Sequence, residues 1–390
     1  MLNISLFLKN RLVGDIGLAF AASGSIFGTW AAMIPHLKSK FSLDEAELGL
    51  LLLAPPLGIV LANPLSVPVL GRFGPGRSTV AMVTLTAAAA ILPIQAPNIT
   101  LVAVSLLFFG ACMSVLNVAM NTTAAQLEQR DGLRMLSTCH GLWSAGAMTG
   151  SALAGAVTGL GVPHGAFVIG AAAFFGGLSL YLRNTLPEIG KIPQNPDNKR
   201  AKSFVFPSKA LWLLIVISLC TNLTEGTMSD WAAVYMREVL GSGETLAAWG
   251  FSVYAFFMAT GRFFGDGLII RFGPSAALRI GGAVALLGLV PAVFLQNQIA
   301  VLCGFAAVGA GVSLGAPILY ASAARVPGMA PGAGLATMNT FAMLGFLGGP
   351  AMIGFIAQAA SLPIAFGVVG GVVGVWILLS GRVFPKTTNS

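Results

Sequence analysis

Long apolar runs, each cut off by a short cluster of Pro, Gly and charge, set the rhythm of this chain. Twelve such segments can be read, at 12–36, 43–71, 75–95, 98–127, 134–160, 163–183, 209–236, 244–270, 274–296, 298–324, 332–360 and 362–382. A bilayer's hydrocarbon core takes roughly 20 apolar residues of helix to cross. Helices satisfy every backbone hydrogen bond within the span, which that solvent demands. The pattern therefore predicts an all-α membrane protein with twelve transmembrane helices. The connectors are short except for 184–208, a stretch rich in Pro and charge. It reads as a linker between two six-helix bundles, 1–183 and 209–390.

Composition agrees: 56% of residues are hydrophobic and 9% charged, against about a quarter charged in soluble domains. The lipid bilayer is thus the first expected partner. The net charge of +8 does not signal nucleic acid, because the basic residues sit in the connectors. With twelve spans, one side collects eighteen Lys and Arg, and the other holds three, Lys38, Lys40 and Arg237. The positive-inside rule then puts both termini and the linker in the cytoplasm, with a bacterial inner membrane as the location. The first apolar run continues to Pro35 and reads as an uncleaved span, not a signal peptide. Cys112, Cys139, Cys220 and Cys303 lie scattered in apolar runs without CxxC spacing, which suits small core residues and no metal site.

The halves repeat one another. RFGP stands at Arg72 to Pro75 and again at Arg271 to Pro274, an offset of 199 that also pairs Gly110 with Gly309, Gly146 with Gly345 and Gly150 with Gly349. Trp30-Ala31-Ala32 matches Trp231-Ala232-Ala233 at 201. Six helices per repeat keep both halves in the same orientation. Twelve spans, a cytoplasmic linker and an RFG element between the second and third helices of each half resemble the major facilitator superfamily. GTWAAMIP, CHGLWSAG, DWAAVY and GRFFGDGLIIRFGP are similar to its bacterial fucose-permease-like branch. The family's loop motif places an acid directly before Arg-x-Gly; here that position is Gly71 or Ile270. Asp266 lies one turn upstream of Ile270 and four residues from Arg262, on one helix face. The resemblance implies a cytoplasmic gate latch of Arg262, Asp266 and Arg271, with a weaker N-terminal copy at Arg72 and Arg77.

Polar residues inside spans are costly and mark pathways or helix ties. On the seventh span Ser218, Asn222, Glu225 and Ser229 form one stripe near mid-span. Asp230, five residues past Glu225, lies roughly 140° around the helix, so the two acids do not form a side-by-side dyad. Proton coupling needs an ionisable group that a cavity alternately wets and dries. Glu225 is the first candidate and Asp230 the second; the alternative for each is a helix tie. Asn117 and Asn121 share a face of the fourth span, where amides suit hydroxyl-bearing solutes or neighbouring helices. His140 and Trp143 share one on the fifth, with Asn339 as the repeat mate of His140. Together with Asn222 and the matched Trp30 and Trp231, these residues make up the expected substrate-binding set. For any membrane Trp the alternative is interface anchoring. His36, His164 and Tyr320 lie near span ends with no local companion.

No zinc-ligand spacing, nucleophile elbow or phosphate loop is present, so a transporter is expected and neither an enzyme nor a cofactor. The expected function is alternating-access symport of a small polar organic solute, sugar-like or nucleoside-like, with protons. Sodium stays open as the coupling ion, and the chain is expected to act as a monomer. The alternative is proton antiport that exports amphiphilic or cationic compounds.

Overall fold

A computed structural model describes residues 10–132, 135–189, 208–323, 326 and 333–383; the linker expected at 184–208 lies largely outside these. Every secondary-structure element among the described residues is a helix. The first seven are α1 (Arg11–Phe41), α2 (Glu45–Leu51 and Ala54–Phe73), α3 (Pro75–Ala89 and Ile91–Gln95), α4 (Ile99–Asp131), α5 (Leu136–Gly159), α6 (His164–Leu182) and α7 (Lys209–Glu238). One helical run, Glu244–Phe294, breaks at Gly273 into limbs 244–272 and 274–294, here α8 and α9. α10 (Gln298–Val312 and Gly315–Ala323), α11 (Ala333–Ala359) and α12 (Leu362–Val383) complete the chain.

Ten of these segments are long and apolar enough to cross a membrane. α5 is rich in Gly, Ala, Ser and Thr, and it packs along α1 on one side and α8 on the other. Small residues allow backbones to touch, and that contact replaces the contact with lipid. A side chain on Gly24 or Gly28 of α1 would strike the α5 backbone at Trp143 or Ala147. Ser151 Oγ donates to the Ala248 carbonyl of α8 at 2.9 Å, and Thr245 Oγ1 to the Gly155 carbonyl of α5 at 3.0 Å.

The repeat is visible in backbone geometry. Both RFGP elements end a helix at Phe, turn on Gly with positive φ (Gly74 +83°, Gly273 +77°) and start the next helix at Pro. Glycine adopts that conformation without steric cost, and proline suits a first helical position because its missing N–H would be unpaired there. Gly110 abuts the Pro55 carbonyl and Gly309 abuts that of Tyr254, so the α2–α4 crossing recurs, 199 residues on, between α8 and α10.

The first six helices meet the last six unevenly. α5 and α8 stay together from Gly155 beside Ala248, at the end opposite the termini, to Gly141 against Phe263 near the terminal side. α2 and α11 touch mainly at the end opposite the termini, called the outer end below. There Gly49 lies against the Pro350 carbonyl and Gly354, and the Glu45 amide donates to Gln358 Oε1 at 3.3 Å. Farther along α2, Leu61, Leu65, Val67 and Phe73 are exposed. Lys38 of α1 ties the outer end further, reaching Glu45 of α2 at 3.2 Å and Glu238 of α7 at 2.7 Å.

Candidate functional site

The middle of the bundle holds one ion pair spanning two helices and touching a third. Glu225 Oε1 on α7 lies 3.5 Å from Arg262 Nη2 on α8, with only 20% and 15% of the two side chains exposed. Arg262 Nη1 donates to Ser144 Oγ of α5 at 2.9 Å, and that hydroxyl donates back to the His140 carbonyl at 3.2 Å. One guanidinium thus joins a carboxylate of the second half to a hydroxyl of the first. Its fork of donors makes this double engagement possible. Tyr254 of α8 and Tyr320 of α10 are both within electrostatic reach of Glu225 and Arg262. Tyr254 is almost wholly buried, and its hydroxyl has no hydrogen-bond partner among the described residues.

Arg262 lies nine residues before Arg271, about 13 Å along a helix, and reaches Glu225 and Ser144. The side chain of Asp266 lies outside the described residues. Arg72, Arg77 and Arg271 are exposed and make no ion pair among the described residues. Arg72 and Arg271 instead lie over their neighbouring rings, Phe73 and Phe272, at 5.4 and 5.2 Å.

The expected binding residues separate into two groups. Asn117 and Asn121 bond each other, Nδ2 to Oδ1 at 2.5 Å, with Asn117 exposed and Asn121 half-buried. His140 is exposed beside Phe20, ring centroids 5.4 Å apart, and Trp143 is half-buried beside Phe27 at 5.5 Å. Phe27 also meets Phe251 of α8 edge-on at 6.0 Å, which gives the seam an aromatic wall above the ion pair. Asn222 reaches Ser218 Oγ at 3.4 Å, one turn below Glu225 on the same stripe. Trp30 and Trp231 leave the set: they are 4% and 0% exposed. Trp30 packs on Phe109 at 6.1 Å. Their matched places on α1 and α7 turn the indoles into the bundles, so they act as core, not as a platform or interface anchors. Asp230 is half-buried and makes no ion pair among the described residues. The side chain of Asn339 lies outside the described residues.

Ser144, Tyr254, Phe27 and Phe251 escaped the sequence reading because each is ordinary alone. Ser144 does stand four residues past His140, one turn along the same face, and that periodicity was a usable signal. Tyr254 carried none.

The fold defines a polytopic all-helical membrane protein. The profile of the Major Facilitator Superfamily matches residues 16–330, and the chain belongs to that family of membrane transporters. It is 33% identical over 361 residues to an uncharacterised MFS-type transporter of Yersinia pestis, covering 90% of each chain. A shorter stretch of 157 residues, 38% of each chain, is 32% identical to the 2-nitroimidazole transporter of Escherichia coli. Among solved structures, a nucleoside transporter, NupG, aligns with a TM-score of 0.73 at 11% identity, over 96% of this chain and 100% of the other. A D-xylose–proton symporter aligns with 0.73 at 13%, over 97% and 99%. At such identity these two speak for the fold.

Proposed function

We propose that the chain is a proton-coupled symporter of a small polar organic solute, sugar-like or nucleoside-like, with Glu225 as the coupling carboxylate. The observation that carries this is the Glu225–Arg262 pair anchored on Ser144. Protonation of Glu225 removes the negative partner and leaves Arg262 held by one hydroxyl, in need of another acceptor. A solute hydroxyl or carbonyl that reaches Arg262 from the space between the halves, beside His140, Asn117 and Asn222, fills that need. Proton and solute then stabilise the same arrangement, which is the thermodynamic content of symport.

The two six-helix halves act as the moving bodies, with both termini and the linker on the cytoplasmic side of a bacterial inner membrane. On this reading the structure is closed at the periplasmic end, by Lys38 and the α2–α11 crossing. The second reading is proton antiport that exports amphiphilic or cationic compounds. The aromatic wall of Phe27, Trp143 and Phe251 favours it, because such faces attract apolar and cationic groups.

Proteoliposomes with an imposed pH gradient, screened over sugars, nucleosides and organic cations, test the proposal. Glu225→Gln is expected to abolish gradient-driven accumulation and to retain solute exchange. Undiminished accumulation in that variant would overturn the coupling role. The solute class that is moved, and its direction, separates symport from export.

A further inference from the structure

A second ionisable cluster lies at the outer end, remote from Glu225, in a cavity of about 70 Å³ between the halves. His36 and Ser39 of α1, Thr158 of α5 and His164 of α6 line it from the first half. Arg237 of α7 and Glu244 of α8 line it from the second. The imidazoles of His36 and His164 stack at 3.8 Å with planes 13° apart. His164 Nε2 lies 3.4 Å from Glu244 Oε2, the contact that crosses between halves. That carboxylate oxygen is shielded from solvent and has no hydrogen-bond partner among the described residues.

We propose that His164 and Glu244 form a second proton-binding site, one whose occupancy latches the outer end closed. The chemistry follows from the contact. An unpaired carboxylate oxygen out of water is costly, and an imidazolium opposite it supplies both charge and an N–H donor. A neutral His164 offers no charge, so deprotonation weakens a tie between the two halves. The stack holds a single proton, because a second imidazolium 3.8 Å away would repel the first. Arg237 in the cavity wall and Lys40 near His36 add to that repulsion, and Arg237 is already committed, donating to the Ser242 carbonyl at 2.9 Å. Glu244 therefore selects His164, and His36 serves as its stacked, uncharged neighbour. The nearby Lys38–Glu238 tie contains no imidazole, so the His164 contact is the pH-sensitive addition to it. The inference does not depend on Glu225.

The test uses full-length protein in nanodiscs, with Cys303, the exposed cysteine, replaced by Ser. Spin labels go on Thr100→Cys, at the α3–α4 corner, and Gln296→Cys, at the α9–α10 corner, and the distance distribution is measured from pH 8 to pH 5.5. The short, closed population should grow as pH falls, with the closed-to-open ratio changing roughly fivefold, the scale of one partly buried ion pair. His164→Gln and Glu244→Gln should each abolish this dependence. His36→Gln and Glu225→Gln should keep it. A pH response that survives both latch substitutions, or that disappears only with Glu225→Gln, would overturn the proposal. The second result would return pH sensing to the central site.

Discussion

Arg262 is the residue on which the central site turns. Its charge is held 3.5 Å from Glu225 with most of both side chains out of water. Removing one member of such a pair strands the other, at a cost of about 3–5 kcal/mol when burial is complete and less here. Arg262→Gln should therefore lower thermal stability in detergent by more than Ser144→Ala, whose lost hydrogen bond to a charged group is worth about 1.5–3 kcal/mol. The double variant Arg262→Gln with Glu225→Gln should recover part of the loss, because neither charge is then unpaired. Melting curves of the four proteins form a double-mutant cycle, and strict additivity would deny the coupling. The sequence stripe on α7 pointed to Glu225, since 3.6-residue periodicity alone places Asn222 and Glu225 on one face. It could not name the partner: the two residues are 37 positions apart, and only the α7–α8 packing brings them together.

Among elements, the RFGP turns show how local sequence dictates backbone. Gly74 and Gly273 sit at φ of +83° and +77°, where a Cβ is strained. Gly74→Ala and Gly273→Ala should each destabilise the fold by more than about 1 kcal/mol, and the shift should be similar in the two halves. A shift confined to one half, read from thermal unfolding, would show that the repeats are not mechanically equivalent. The α1–α5 crossing depends on a different property of glycine. Gly24 and Gly28 allow the helices to approach until backbone meets backbone, so Gly28→Leu should force α1 away from α5 and reduce the yield of folded protein, seen as a loss of the monodisperse peak in gel filtration. That α5 is rich in small residues was readable as composition. That it zips against α8 as a seam was not, because small residues permit close contact without naming a partner.

Across the molecule, the outer end is closed by electrostatic ties and by α2 against α11, while the α5–α8 seam runs through. Lys38 reaches acids from both halves with only 10% of its side chain exposed. Lys38→Met leaves Glu45 and Glu238 facing each other without a cation. The expected result is a larger fraction of outer-open molecules, measured as faster reaction of an Ala32→Cys variant with a membrane-impermeant thiol reagent. An unchanged rate would mean that α2–α11 packing alone closes that end.

By itself the sequence determined the solvent, the RFGP repeat and the helix face that carries Glu225. Each of these follows from periodicity, composition or local φ requirements, which act over a few residues or accumulate along one span. The tertiary structure decided the partners. It paired Arg262 with Glu225 where its neighbourhood suggested a connector latch, buried Trp30 and Trp231 where a binding surface was expected, and stacked His36 on His164, two histidines that looked solitary. Pairings between distant helices depend on which faces meet across the bundle, and close packing of small residues leaves no mark in one helix that specifies the other.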